Sequence, residues 1–284
     1  LASIASVKLN DEFTPLRVFF DKMDSMTTEQ RQVEYDGETF SLAVKFVHTS
    51  DNWLVFLHGI GCAKECFDEV FETDLAQKYS ILVFDFLGFG DSDKPEDLDY
   101  TMQQHAAIGK ALIEQFSPDK VSLIAHSMGG TIGVLLAPML NNLDTFINIE
   151  GNLVSEDAGI VSRRTAEQAE SDFVQRGFSQ FLAQLRNSDE RSFKMWADWY
   201  AKSSRVAIHR SGSSLVDWSD SGKLMPMFNQ LPKKAFIHGD KIDITHLKTK
   251  FEGVDVFSIP TSGHFMMLDN PANFYSLISK YLDR

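Results

Sequence analysis

Cysteine is scarce in this sequence, basic residues are outnumbered, and long hydrophobic runs are missing. The two cysteines, Cys62 and Cys66, lie four residues apart on one expected helix. That spacing suits neither a disulfide framework nor a zinc site. Reduced thiols in a reducing compartment follow, so a cytoplasmic location is the expectation. No stretch reaches the roughly 20 apolar residues that a bilayer-spanning helix needs. Lys and Arg total 27 against 40 Asp and Glu, for a net charge of −13. Such a surface repels phosphate backbones and anionic lipid, so neither nucleic acid nor a membrane is an expected partner. The histidines lack a ligand spacing such as His-x-x-x-His, so no metal is expected, and no other cofactor is signalled. Internal repeats and low-complexity tracts are also missing. The first residue is Leu1 rather than Met. This fits a removed leader or a trimmed chain, with Met26 as an alternative start.

What is present is enough apolar material for a large core: 43% of the 284 residues are hydrophobic and 12% aromatic. Residues 1–31 are irregular and polar and read as an N-terminal arm. From Gln32 the pattern sharpens. Gln32–Tyr35 and Thr39–His48 read as antiparallel strands joined at Asp36-Gly37, a hairpin dipeptide. Short apolar runs follow at Trp53–Leu57, Ile81–Phe86, Val121–Ala125, Phe146–Ile149, Ala235–His238 and Val254–Ile259. Runs without alternation are buried on both faces, as in a parallel sheet. Helical patterns over 64–78, 102–116, 128–140, 242–251 and 271–283 separate them. Strand–helix alternation of this kind predicts a doubly wound, mostly parallel sheet with functional residues at strand carboxyl ends.

The alternation breaks between Asn152 and Leu231, where no convincing strand occurs. Amphipathic segments such as Thr165–Val174 and Phe178–Leu185, with Phe193, Trp196, Trp199 and Tyr200, predict an all-helical insertion capping the strand ends. The expected organisation is an α/β core of 32–151 and 232–284 with a helical cap of 152–231. Arg163 and Arg164 follow closely after the sheet. They are either solvated charges or candidates to meet an anionic substrate group.

Four signals fall at strand carboxyl ends. Val121–Ala125 runs into His126-Ser127-Met128-Gly129-Gly130 and an apolar helix. A serine on a sharp strand-to-helix turn is a nucleophile elbow, which lifts the hydroxyl above the sheet. A serine N-cap before a glycine-weakened helix is the alternative. Ala125 replaces the first glycine of the usual Gly-x-Ser-x-Gly. Next, His58-Gly59-Ile60-Gly61 is a glycine-rich turn whose backbone N–H groups can face an anion. The residues just past the two turns, Ile60 and Met128, are the candidate oxyanion donors, while His58 reads as turn-stabilising. Third, His264 in Ser262-Gly263-His264-Phe265 stands where it can take a proton from Ser127. Asp269 or Asn270 can cap the final helix, which Pro271 opens.

The fourth is an acid to orient that imidazole. Asp243, in His238-Gly239-Asp240-Lys241-Ile242-Asp243, is the first choice. Glu150 in Ile149-Glu150-Gly151 is the alternative and Asp240 the third. The stretch Asp85-Phe86-Leu87-Gly88-Phe89-Gly90-Asp91-Ser92 reads as a structural turn beside the oxyanion loop.

Together these motifs resemble the α/β-hydrolase superfamily over about residues 32–284. The matching elements are His58-Gly59-Ile60-Gly61, Asp85-x-x-Gly88-x-Gly90-x-Ser92, Ala125-His126-Ser127-Met128-Gly129-Gly130 and Gly263-His264-Phe265 with Asp269-x-Pro271. The resemblance implies an eight-stranded sheet and a cofactor-independent serine hydrolase acting on a small ester or related acyl compound. Carbon–carbon, lactone or thioester hydrolysis and perhydrolysis on the same residues are alternatives. A ligand-binding or signalling module with little turnover is another. Two departures stand out: Ile242 occupies the Asp position of the common Gly-x-x-Asp, and the His-Gly-x-Pro proline of epoxide hydrolases is replaced. Ser127 stands where those enzymes and the haloalkane dehalogenases carry aspartate, which argues against both. Substrate identity and oligomeric state are not legible.

Overall fold

A computed structural model describes residues 26–284. The expected arm lies outside the described residues up to position 25, and its last residues are not irregular. Strand β1 (Thr27–Tyr35) begins at Thr27 and pairs antiparallel with β2 (Glu38–Val47) along its whole length. The hairpin turns at Asp36 and Gly37, with φ of 52° and 81°. Two consecutive positive φ values are what a type I′ turn requires, which is why Asp-Gly stands there.

The remaining strands are β3 (Asn52–Leu57), β4 (Ser80–Phe84), β5 (Lys120–His126), β6 (Leu143–Ile149), β7 (Lys234–Gly239) and β8 (Asp255–Ile259). They form one eight-stranded sheet in the order β1-β2-β4-β3-β5-β6-β7-β8, parallel from β4 to β8. All five residues of β4 are buried, as its unbroken apolar run predicts for a strand covered on both faces. The chain leaves β3 for β4 on one side and returns to β5 on the other. This reversal opens a crevice at the carboxyl ends of β3 and β5.

The helices Met102–Glu114, Met128–Leu136 and Pro271–Leu282 cover the sheet. Thr101 and Gln104 form a reciprocal capping box at the first. Asn270 caps the last, with Pro271 at its first position. Two expected helices are shorter or broken. Over 64–78 a 3-10 helix Lys64–Glu72 stops at Thr73, whose hydroxyl caps a new turn, Asp74–Lys78. Over 242–251 only Thr245–Lys248 is helical, because Asp243 accepts the Thr245 N–H at 2.9 Å and turns the chain before it.

Between β6 and β7 the described residues contain helices and no strand, among them Ile160–Ala166, Phe178–Arg186, Arg191–Lys202, Arg205–Asp220 and Leu224–Asn229. This insertion is seated on the loops that follow β3 and β4. The Trp196 indole donates to the Ile60 carbonyl at 3.1 Å, and the Ser204 N–H to the Gly88 carbonyl at 2.7 Å. Tyr200 is fully buried, stacked on Phe178. No helix among the described residues is long and apolar enough to cross a membrane.

Candidate active site

Ser127 links β5 to the helix Met128–Leu136 with φ 54° and ψ −121°. A non-glycine residue there carries strain of about 1–3 kcal/mol, so the surroundings must impose it. They do so through backbone bonds and close packing. The Ser127 N–H donates to Ile149 O at 3.0 Å, and Gly130 N–H returns to Ser127 O at 2.8 Å. A Cβ on Gly129 would stand 2.3 Å from the Leu57 carbonyl oxygen, and one on Gly130 2.5 Å from the Gly151 Cα. Both glycines are therefore demanded by close approach. Ala125 is tolerated for the converse reason: its methyl group faces Gly133, where a Cβ would already be 3.2 Å away.

The loop after β3 lies directly against the elbow. A Cβ on Gly59 would be 3.0 Å from the Ser127 Cβ. His58 is fully buried and holds this loop in shape. Its Nε2 accepts the Phe86 N–H at 3.1 Å, which leaves Nδ1 as the donor to Gly59 O at 2.8 Å. Burial lowers its pKa, consistent with a neutral ring. Below it, Asp85 accepts from the Lys64 backbone N–H at 2.6 Å, its ammonium at 2.8 Å and the Asp91 N–H at 2.8 Å. Burial disfavours the Lys64 charge, but Asp85 more than offsets this and its pKa is raised. The Ser92 hydroxyl donates to Asp85 O and accepts from Ala43 N–H, tying the turn to β2. Cys62 and Cys66 are free and buried, and burial pushes both thiols up.

His264 follows β8 on a loop held by two carboxylates. Asp240 accepts the N–H groups of Thr261 and Ser262, and Asp269 that of Gly263. The carboxylate that reaches the imidazole is Glu150. Its Oε2 lies 2.6 Å from His264 Nδ1, and its Oε1 accepts the Gly239 N–H at 2.7 Å. The side chain is only 6% exposed. Asp243, the first choice from the sequence, does not pair with His264. It is exposed, and its carboxylate is engaged by the Thr245 hydroxyl and N–H, which lower its pKa. Asp240 likewise serves the loop backbone rather than the ring.

One contributor had no sequence signal beyond its place beside the serine. His126 is buried, its ring 4.6 Å from that of His264, and its Nε2 donates to the His264 carbonyl at 2.9 Å. Burial, with His264 nearby, drives its pKa well down.

Ser127, Glu150 and His264 share one cavity of about 490 Å³, with Gly59 and Ile60 at its edge and Phe193, Trp196, Leu215 and Phe265 among its walls. The Ser127 hydroxyl has no hydrogen-bond partner among the described residues, so it faces the cavity uncommitted. The two arginines considered as anion contacts do not line this space. Arg163 is paired with Asp220 at 2.7 Å, and Arg164 with Gln184 at 3.3 Å.

The fold agrees with what the chain resembles. Residues 54–277 match the model of the alpha/beta hydrolase family. The chain is 25% identical over 229 residues to a 2-hydroxy-6-oxo-6-(2'-aminophenyl)hexa-2,4-dienoic acid hydrolase of Metapseudomonas resinovorans, covering 74% of this chain and 76% of that protein. An esterase from Exiguobacterium antarcticum superposes with a TM-score of 0.72 at 18% identity, over 89% of this chain and 99% of the other. The N-acyl homoserine lactonase AidH gives 0.71 at 16% identity, over 90% and 96%. The chain belongs to the alpha/beta hydrolase family, and the match supports a hydrolase.

Proposed function

We propose that this chain is a serine hydrolase of carboxylic esters or related acyl compounds, with Ser127 as nucleophile, His264 as base and Glu150 as the acid that orients it. The observation that carries this reading is the hydrogen bond from His264 to the buried Glu150 carboxylate, in the cavity that the strained elbow serine also lines. In the first half-reaction Ser127 Oγ attacks the carbonyl carbon as its proton passes to His264 Nε2. Glu150 holds Nδ1–H and stabilises the imidazolium without taking its proton. The oxyanion is received by the backbone N–H groups of Ile60 and Met128. Met128 opens its helix, where the N–H has no intrahelical acceptor. Two such preset donors supply several kcal/mol of transition-state stabilisation. His264 then protonates the leaving alkoxide, and an acyl group remains on Ser127. Water repeats the sequence, giving its proton to His264 and releasing the acid and the free serine.

The insertion over 152–231 acts in this scheme as the cap that shapes the acyl pocket, through Phe193, Trp196 and Leu215. The apolar walls suit an ester or a lactone bearing a hydrocarbon acyl chain. The test is labelling with an alkyl fluorophosphonate followed by turnover of p-nitrophenyl esters and acyl lactones. Modification at Ser127, with hydrolysis abolished in Ser127→Ala, is the expected result. Tight ligand binding with negligible turnover across the series would instead mark a binding module and defeat the proposal.

A further inference from the structure

The charged side chains in the cavity wall are all carboxylates: Glu150, Glu156, Asp157 and Asp243. Three imidazoles, His126, His246 and His264, and the Cys62 thiol complete its ionisable lining. The carboxylates are not equivalent. Glu150 serves His264. Asp157 accepts the Leu153 and Val154 N–H groups and His246 Nε2, the last at 2.6 Å. Glu156 meets the Lys250 ammonium at 3.2 Å, and Lys250 is not part of the wall. Asp243 is held by the Thr245 hydroxyl and N–H, and Lys248, which is not part of the wall, favours its charge through space. The wall also carries apolar side chains, among them Ile60, Phe193, Trp196, Leu215 and Phe265. Arg163 and Arg164, the nearby cations after β6, are turned to partners outside the cavity.

A substrate carboxylate entering this space would lose part of its hydration and face negative charge on the same wall that holds Ser127. Glu156 and Asp243 are exposed, so that repulsion acts across solvent and is open to screening by salt. A hydrocarbon acyl chain meets no such cost, and a cationic group beside these carboxylates meets attraction. We infer that the cavity selects by charge, accepting neutral and cationic acyl esters and rejecting those that carry a free carboxylate. This rests on the serine-hydrolase reading and names its substrate class. It sets the chain apart from the Metapseudomonas relative, whose substrate is by its name a dienoic acid.

Three substrates matched in chain length to the fifth atom test the inference on the whole chain: p-nitrophenyl pentanoate, mono-p-nitrophenyl glutarate and the p-nitrophenyl ester of trimethylammoniobutyrate. The expected kcat/KM for the glutarate is lower than that for the pentanoate by roughly ten-fold or more at low salt, with the cationic ester at least equal to the pentanoate. Raising ionic strength to about 0.5 M should narrow the gap, because screening weakens charge repulsion and leaves steric exclusion untouched. The double variant Glu156→Gln/Asp243→Asn should narrow it further, and Glu156→Gln alone provides the check if the turn at Thr245 does not tolerate the second change. Equal turnover of glutarate and pentanoate overturns the inference. So does a gap that neither salt nor either variant moves. Failure of an alkyl fluorophosphonate to modify Ser127 would instead defeat the underlying serine-hydrolase reading, which separates the two.

Discussion

Glu150 Oε2 and His264 Nδ1 are 2.6 Å apart although 114 positions separate the residues in sequence. Glu150 has φ 45° and is anchored by its own N–H to Ile237 O at 3.1 Å and by Gly239 N–H to its Oε1. The carboxylate is therefore fixed from both ends. Glu150→Gln should leave the fold intact and lower kcat by about two to four orders of magnitude, the range for loss of an orienting acid. Asp243→Asn should keep kcat for a neutral ester within a few-fold. Steady-state kinetics of the two variants, with thermal unfolding of each, provides the check. The reverse ranking would restore Asp243.

The strain at Ser127 predicts a trade between activity and stability. Ser127→Gly removes the proposed nucleophile and also relieves a φ of 54° that glycine adopts freely. Ester turnover should vanish while unfolding free energy rises by about 1 kcal/mol. Ser127→Ala should vanish in turnover equally but show no such gain, because alanine shares the strain. Urea unfolding of the pair separates the two effects. A Gly variant no more stable than the Ala variant would remove the strain argument.

Beside the loop that follows β3, Lys64 is 3% exposed and Asp85 fully buried, 2.8 Å apart. Lys64→Met keeps the apolar stem but strands a carboxylate in the interior. The expected loss is about 3–5 kcal/mol of stability. Lys64→Met/Asp85→Asn should recover part of it, since the orphaned charge is gone. Equilibrium denaturation measures both, and equal losses would show that the uncompensated charge is not the cause.

Acid should destabilise the fold through histidines buried as neutral rings. Burial, with His58 nearby, takes the pKa of His105 down to about 3, and His58 and His126 are also lowered. Below a pH of about 6.5 the unfolded chain binds protons that these folded rings refuse, so stability falls as pH drops through that window. His105→Gln keeps a polar partner for the Ser211 hydroxyl, now 3.0 Å from the His105 ring. Between pH 7.5 and pH 5 the variant should lose about 2 kcal/mol less than the parent chain. Parallel pH profiles would place the acid sensitivity elsewhere.

The positions of Ser127 and His264, the glycine turns and the succession of strands along the chain were legible in the chain itself. Each is a local pattern: an apolar run too short for a helix, followed by residues that only a tight turn accommodates. The hairpin at Asp36-Gly37 was legible for the same reason, while its strand began earlier than expected because an edge strand with polar, half-exposed faces hides its period. The helix expected over 242–251 failed at Asp243, whose side chain bonds the backbone two residues on. That same bond withdraws Asp243 from the histidine.

What the sequence by itself determined is that a serine, a histidine and several carboxylates stand at strand carboxyl ends of one parallel sheet. Which carboxylate reaches His264 was left to the tertiary structure. Asp240, Asp243 and Glu150 all occupy such ends, and their roles diverge through distance alone. Asp240 and Asp243 satisfy backbone N–H groups, while Glu150, at the end of the neighbouring strand β6, is packed against Gly239 and turned toward the imidazole. A hydrogen bond depends on a few tenths of an ångström between residues far apart in the chain, and no local pattern encodes that separation.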